Sequence, residues 1–176
     1  IDPTVHTALM LQTVLGLVSQ LEPIRGAFRT PGANEALREE LETLRLKHEL
    51  DLLTVVDAAG RVLLRSRTPY RHGDALDRDP VVRQALAGRA TSGTILVTAE
   101  DLRTKAGELA ERAYIPLVFT ERAVPTERTA EDRGLVLEAA NPILDSAGNV
   151  QGALVGGVLL NRKFALVDRI RDTVFG

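Results

Sequence analysis

Cysteine is absent, so the chain carries no disulfide framework and no thiolate metal site. Tryptophan is absent too, and aromatic residues make up 3% of the chain, too few to build a base-stacking surface. The net charge is −2 with histidines neutral, which argues against nucleic acid as a partner, because phosphate contacts require a basic face. The three histidines stand at positions 6, 48 and 72, in unrelated segments, so neither a metal centre nor a haem finds its ligands. No apolar run is long enough to cross a bilayer, and no signal peptide opens the chain. Nor is there a Gly-rich phosphate loop, and Ser92-Gly93 does not sit in a nucleophile elbow. No nucleophile pairs with a base, so the expectation is a protein that is not an enzyme, with no cofactor, no catalytic residue and no metal. The chain opens at Ile1-Asp2-Pro3 without Met and ends at Val174-Phe175-Gly176, which reads as a segment of a longer, membrane-anchored protein.

What is present is an ordinary globular composition on 176 residues, enough for one sizeable core plus a helical extension. The richest stretch is 135–161. Two apolar runs flank Ser146-Ala147-Gly148-Asn149, the sequence form of a β-hairpin, with Gly148 and Asn149 suited to positive φ. Residues 150–160 are nearly all apolar, so this strand should be buried on both faces. Gly156 and Gly157 mark a place where a covering loop or a ligand approaches the strand closely. Glu138, within the first of these strands, reads first as a solvent-facing or ion-paired side chain and second as a buried acid.

Along the rest of the chain, residues 4–22 show helical apolar spacing, with Pro23 expected to end the helix. Asn34 reads as the cap of a second helix bearing a narrow Leu37-Leu41-Leu44 stripe. A second hairpin spans 52–65 around Ala59-Gly60. Asp79-Pro80 opens a helix that Gly88 stops, and Thr98 with Asp101 predicts a helix reaching about Ala113. Residues 94–97 read as a strand, 114–119 as an extended edge piece limited by Pro116, 121–133 as an exposed loop, and 164–170 as a closing helix. Hairpin-linked strands with flanking helices define an α+β fold. A helical segment, 1–50, precedes the main domain, 51–176.

The loop 65–74 concentrates donors. Arg65, Arg67, Arg71 and His72 stand close in sequence, and Tyr70 adds a hydroxyl. The guanidinium fork matches a carboxylate, so an anion site here competes with a solvated basic turn in which Arg71 pairs with Asp74 or Asp77.

Residues Val55-Val56-Asp57-Ala58-Ala59-Gly60-Arg61-Val62-Leu63 resemble the opening strand and D-x-x-G-x-V turn of Cache domains, the extracytoplasmic PAS-like sensors. The segments from Pro69 through Asp74 and from Asp79 through Gly88 are similar to the next segment of that family. Asn141-Pro142-Ile143-Leu144-Asp145-Ser146-Ala147-Gly148-Asn149-Val150-Gln151-Gly152 looks like its P-I-x-D-x-x-G-x-V-x-G hairpin. The resemblance implies a long N-terminal helix rising from a membrane span, and a five- or six-stranded antiparallel sheet with a small-molecule pocket. It further implies a periplasmic sensor domain of a chemoreceptor or histidine kinase, dimeric in the full-length receptor. The scarcity of aromatic residues favours a small organic acid over an amino acid as ligand. The expected ligand set is Arg71 and His72 first, with Tyr70 and Arg65 beside them, Thr94 and Asn141 completing the polar contacts, and Gly157 at the close approach. The alternative is a ligand-free structural or dimerisation module of a membrane receptor.

Overall fold

The structure is a computed structural model and describes residues 3–28, 35–120, 124 and 126–162. The expected closing helix at 164–170 and the Asn34 cap lie outside these residues. A five-stranded antiparallel sheet runs in the order β2-β1-β7-β6-β3, formed by β1 (Leu52–Asp57), β2 (Val62–Arg65), β3 (Thr91–Val97), β6 (Gly134–Leu144) and β7 (Val150–Leu159). The two hairpins follow from turn chemistry. Asp57 accepts hydrogen bonds from the backbone N–H groups of Ala59 and Arg61 (both 2.9 Å), and Gly60 takes φ +76. Asp145 does the same for Ala147 and Asn149, and Gly148 takes φ +86. Asn149 is needed as a donor there, not for positive φ.

β7 sits at the centre of the sheet, which explains its unbroken apolar sequence. One sheet face is covered by α1 (Pro3–Val18), α2 (Glu22–Gly26) and α3 (Glu35–Lys47). Leu11, Leu15 and Val18 of α1 pack there with Leu37 and Leu41 of α3 on Leu53, Val55, Leu137, Leu154 and Val158. α1 ends at Val18, earlier than expected, because Pro23 occupies the first turn of α2 instead of terminating the first helix. Val5, Leu9, Met10 and Leu17 form an exposed outer row on α1.

The other face carries α4 (Pro80–Leu86) toward one side and α5 (Ala99–Lys105) with α6 (Leu109–Ala113) toward the other. Asp79 caps α4 through the N–H groups of Val81 and Val82, and Thr98 caps α5 through that of Asp101. The single helix expected up to Ala113 is two, because Ala106 turns to an extended conformation (φ −163, ψ 116). Of the extended piece only β4 (Ile115–Pro116) is a strand. It pairs with β5 (Ala130–Glu131), which lies in the stretch expected to be an exposed loop.

Asn161, just past β7, closes this end of the sheet. Its Oδ1 accepts from Leu135 N (2.7 Å), and its Nδ2 donates to the carbonyls of Ala113 (2.9 Å) and Arg133 (3.0 Å). At the opposite end the strands approach unusually closely to a cover. A β-carbon on Gly152 would stand 2.1 Å from the Val56 carbonyl oxygen and 2.6 Å from the Phe28 ring. Gly152→Ala is therefore expected to cost about 1–3 kcal/mol. That lowers Tm by roughly 2–4 °C per kcal/mol in a domain this size, as read by thermal denaturation. An unchanged Tm contradicts the close approach.

Candidate functional site

The face beneath α4, α5 and α6 is not one apolar core but two. Val81, Val82 and Ala85 of α4 pack on Val56, Ala140, Ala153 and Val155. Leu102, Ala106, Leu109 and Ala113 pack on Leu52, Val97, Val136 and Leu159. A charged seam runs between them, over a floor of small residues. The cross-strand register sets it out: Glu138 lies opposite Gly157, which lies opposite Leu52, and one step along, Ala140, Val155, Thr54 and Arg65 form the neighbouring row.

Arg65 is 2% exposed. Its Nη1 donates to Asp74 Oδ1 (2.7 Å) and to the Arg71 carbonyl (2.6 Å), and its Nη2 donates to Asp74 Oδ2 (2.7 Å). This bidentate pair holds the Asp74 carboxyl below the usual carboxylate range. Asp74 thus pairs with Arg65, not with Arg71 as the solvated basic turn would require.

Glu138 is 1% exposed, so it is not the solvent-facing strand residue but an ion-paired and buried acid. Lys105, the last residue of α5, donates from Nζ to Glu138 Oε2 at 3.3 Å. Burial pushes the Glu138 pKa up to about 7; Lys105 opposes that shift and the nearby Asp79 carboxylate adds to it. Glu138 Oε1 and Arg65 Nε are both buried without a hydrogen-bond partner, as is Ser66 Oγ. The positive charge of Lys105 also reaches Asp74, so the seam is one connected electrostatic unit.

A second set of ion pairs seals the α6 rim. Arg67 pairs with Glu108, and Arg112 Nη1 donates to Asp51 Oδ1 (2.6 Å). Asp51 Oδ2 in turn accepts from Leu159 N (2.8 Å), tying α6 to the end of β7.

The residues singled out in the sequence fall in four places. Arg65 and Gly157 belong to the seam. Tyr70 and His72 line a groove of about 490 Å³ outside β2, with Arg38 and Arg61, and the Arg38 guanidinium lies 4.6 Å from the centre of the Tyr70 ring. The Arg71 side chain is exposed, and its carbonyl serves Arg65. Thr94 is exposed in register with Leu137, and Asn141 in register with Leu154, so both sit on the α1 face. Asn141 is close enough to α1 that a β-carbon on Gly16 would meet its Nδ2 at 3.2 Å. The two central glycines differ. A β-carbon on Gly156 would meet Leu15 at 2.8 Å, so this position admits a helix side chain, whereas one on Gly157 would meet Val136 at 3.0 Å on the seam face. Lys105 carries no sequence signal of its own, Asp74 only that of a candidate partner for Arg71, and Asp79 only that of a helix cap. Among the described residues no three His, Cys, Asp or Glu gather to hold a metal ion, and no helix is long and apolar enough to cross a membrane.

No protein-family model and no curated protein matches the chain. Solved structures do. The sensor domain of Escherichia coli DcuS superposes with a TM-score of 0.64 at 14% identity, covering 94% of this chain and 98% of that one. The sensor domain of the Vibrio cholerae histidine kinase DctB gives 0.56 at 15% identity, over 88% of this chain and 49% of that one. The periplasmic domain of Vibrio cholerae LuxQ gives 0.51 at 16% identity, over 97% and 66% respectively. The fold is the Cache/PAS-like fold of periplasmic sensor domains: α+β, an N-terminal helix and a five-stranded antiparallel sheet with flanking helices.

Proposed function

We propose that this domain is the extracytoplasmic ligand-binding sensor of a transmembrane signalling receptor, a histidine kinase or a chemoreceptor, and that it senses a small organic anion such as a short carboxylate. The seam carries the reading. Arg65, Asp74, Lys105 and Glu138 interrupt what would otherwise be a continuous apolar core, and two of them bury atoms without partners. Such groups destabilise a domain unless a partner meets them, so their presence here points to use. A small acid between α4 and α5 gives Lys105 and Arg65 Nε an acceptor. No catalytic step is assigned to any of these residues. The parent protein is membrane-anchored with this domain in the periplasm.

The outer row of α1 supports a homodimer, with Val5, Leu9, Met10 and Leu17 facing a second copy. That row also favours the second reading, a ligand-free dimerisation module.

Calorimetry with acetate, propionate, lactate and succinate tests the first. Lys105→Met should weaken binding about tenfold or more, the equivalent of one charge-assisted hydrogen bond. Arg71→Ala and His72→Ala should leave it unchanged. Loss of binding in the latter pair with Lys105→Met intact places the ligand in the outer groove beside Arg38. A dimer whose Tm no acid raises decides for the module.

A further inference from the structure

We propose that Glu138 is the proton-linked group of this site: the incoming acid takes its place on Lys105, and Glu138 carries a proton in the complex. This rests on the reading that a small acid enters the seam. The Glu138 carboxylate holds the position on Lys105 that an incoming carboxylate would need. The attachment is slight, one contact of 3.3 Å, while the other oxygen meets no donor.

The groups facing Glu138 leave little else to balance a second anion. Lys105 comes from α5 and Asp79 from the start of α4. The strand neighbours on either side, Gly93 and Gly157, have no side chains. Arg65, the other buried cation of the face, is already held by both oxygens of Asp74. An acid anion added beside the Glu138 and Asp79 carboxylates would put three negative charges against the single ammonium of Lys105. One proton from solvent on Glu138 removes the excess and converts it from a rival acceptor into an O–H donor toward the ligand oxygen. Burial has already brought Glu138 close to taking that proton at neutral pH. The balance is simple: anion and proton enter together, no bond to carbon changes, and the domain responds to acid and acidity as a product.

The test is calorimetric titration of propionate into wild type and Glu138→Gln, from pH 6 to pH 8, in buffers of low and high ionisation heat. Wild type should take up close to one proton per propionate at pH 8, and its Kd should rise about tenfold per pH unit above neutrality. Glu138→Gln, with a neutral side chain of the same shape, should bind with no proton uptake and more tightly than wild type at pH 8. Wild-type binding that is independent of pH overturns the proposal, as does a Glu138→Gln variant that keeps the uptake. Absence of any binding heat in both proteins, with normal melting of both, overturns instead the reading that an acid binds in the seam, and this inference falls with it.

Discussion

Leu15→Asp will leave little cooperatively folded domain. Leu15 is fully buried on the inner face of α1, and its Cδ2 fills the space that Gly156 leaves on the central strand. Truncating a core leucine alone costs about 2–5 kcal/mol. The aspartate adds several kcal/mol more, since it carries its charge into a cluster of apolar side chains. The sum is comparable with the whole stability of a domain, about 5–15 kcal/mol. Thermal denaturation followed by circular dichroism should show a transition that is lost or shifted far downward. Leu46→Asp, on α3 and 61% exposed, should melt like wild type. Equal melting of wild type and the Leu15 variant would mean that α1 does not form the cover of this face.

The second large effect is a pH dependence. Glu138 ionises near its ordinary value of 4.5 in the unfolded chain and at about 7 in the folded one. Below the lower value both states hold the proton, and Glu138 imposes no cost. Between the two the folded state binds more protons than the unfolded, so stability falls as pH rises, and above 7 the full difference of about 3 kcal/mol has been lost. Asp74 acts in a different window: Arg65 holds its carboxyl low, so its contribution is present at neutral pH and disappears only as pH drops below the carboxylate range. Urea denaturation at pH 5 and pH 8 separates the two. Wild type should lose about 2.5 kcal/mol more than Glu138→Gln between those values. Parallel losses would show that Glu138 ionises as freely in the folded domain as in water.

The backbone of this fold is legible in the sequence because its signals are local. Asp57 with Gly60 and Asp145 with Gly148 announce two turns, Asp79 and Thr98 announce two helix starts, and the unbroken run in β7 announces a central strand. The seam is not legible, because its pairs are distant. Lys105 stands 33 residues from Glu138, and only the break at Ala106 aims the end of α5 at that strand. Nothing in alternation distinguishes Glu138 either, since β6 is buried on both faces around it. The donors of loop 65–74 form one cluster in the sequence, but a strand sends alternate residues to opposite sides. Arg65 therefore turns into the seam, while Tyr70 and His72, beyond the strand, face α3 across the outer groove. Sequence proximity gathers residues that the end of β2 and the turn after it separate.

The Asn161 clasp has a mechanical consequence. A pull on the backbone beyond β7 meets two resistances in parallel. One is the ladder to β1 and β6, which is loaded in shear so that its rungs share the load. The other is the three bonds of Asn161, which hand force to the end of α6 and the start of β6 at once. α6 is riveted to the same strand through Arg112, Asp51 and Leu159, and to the loop after β2 through Glu108 and Arg67. Axial travel of β7 and tilt of α6 are thus geared together, so that a displacement at the exit of the sheet bears on α6.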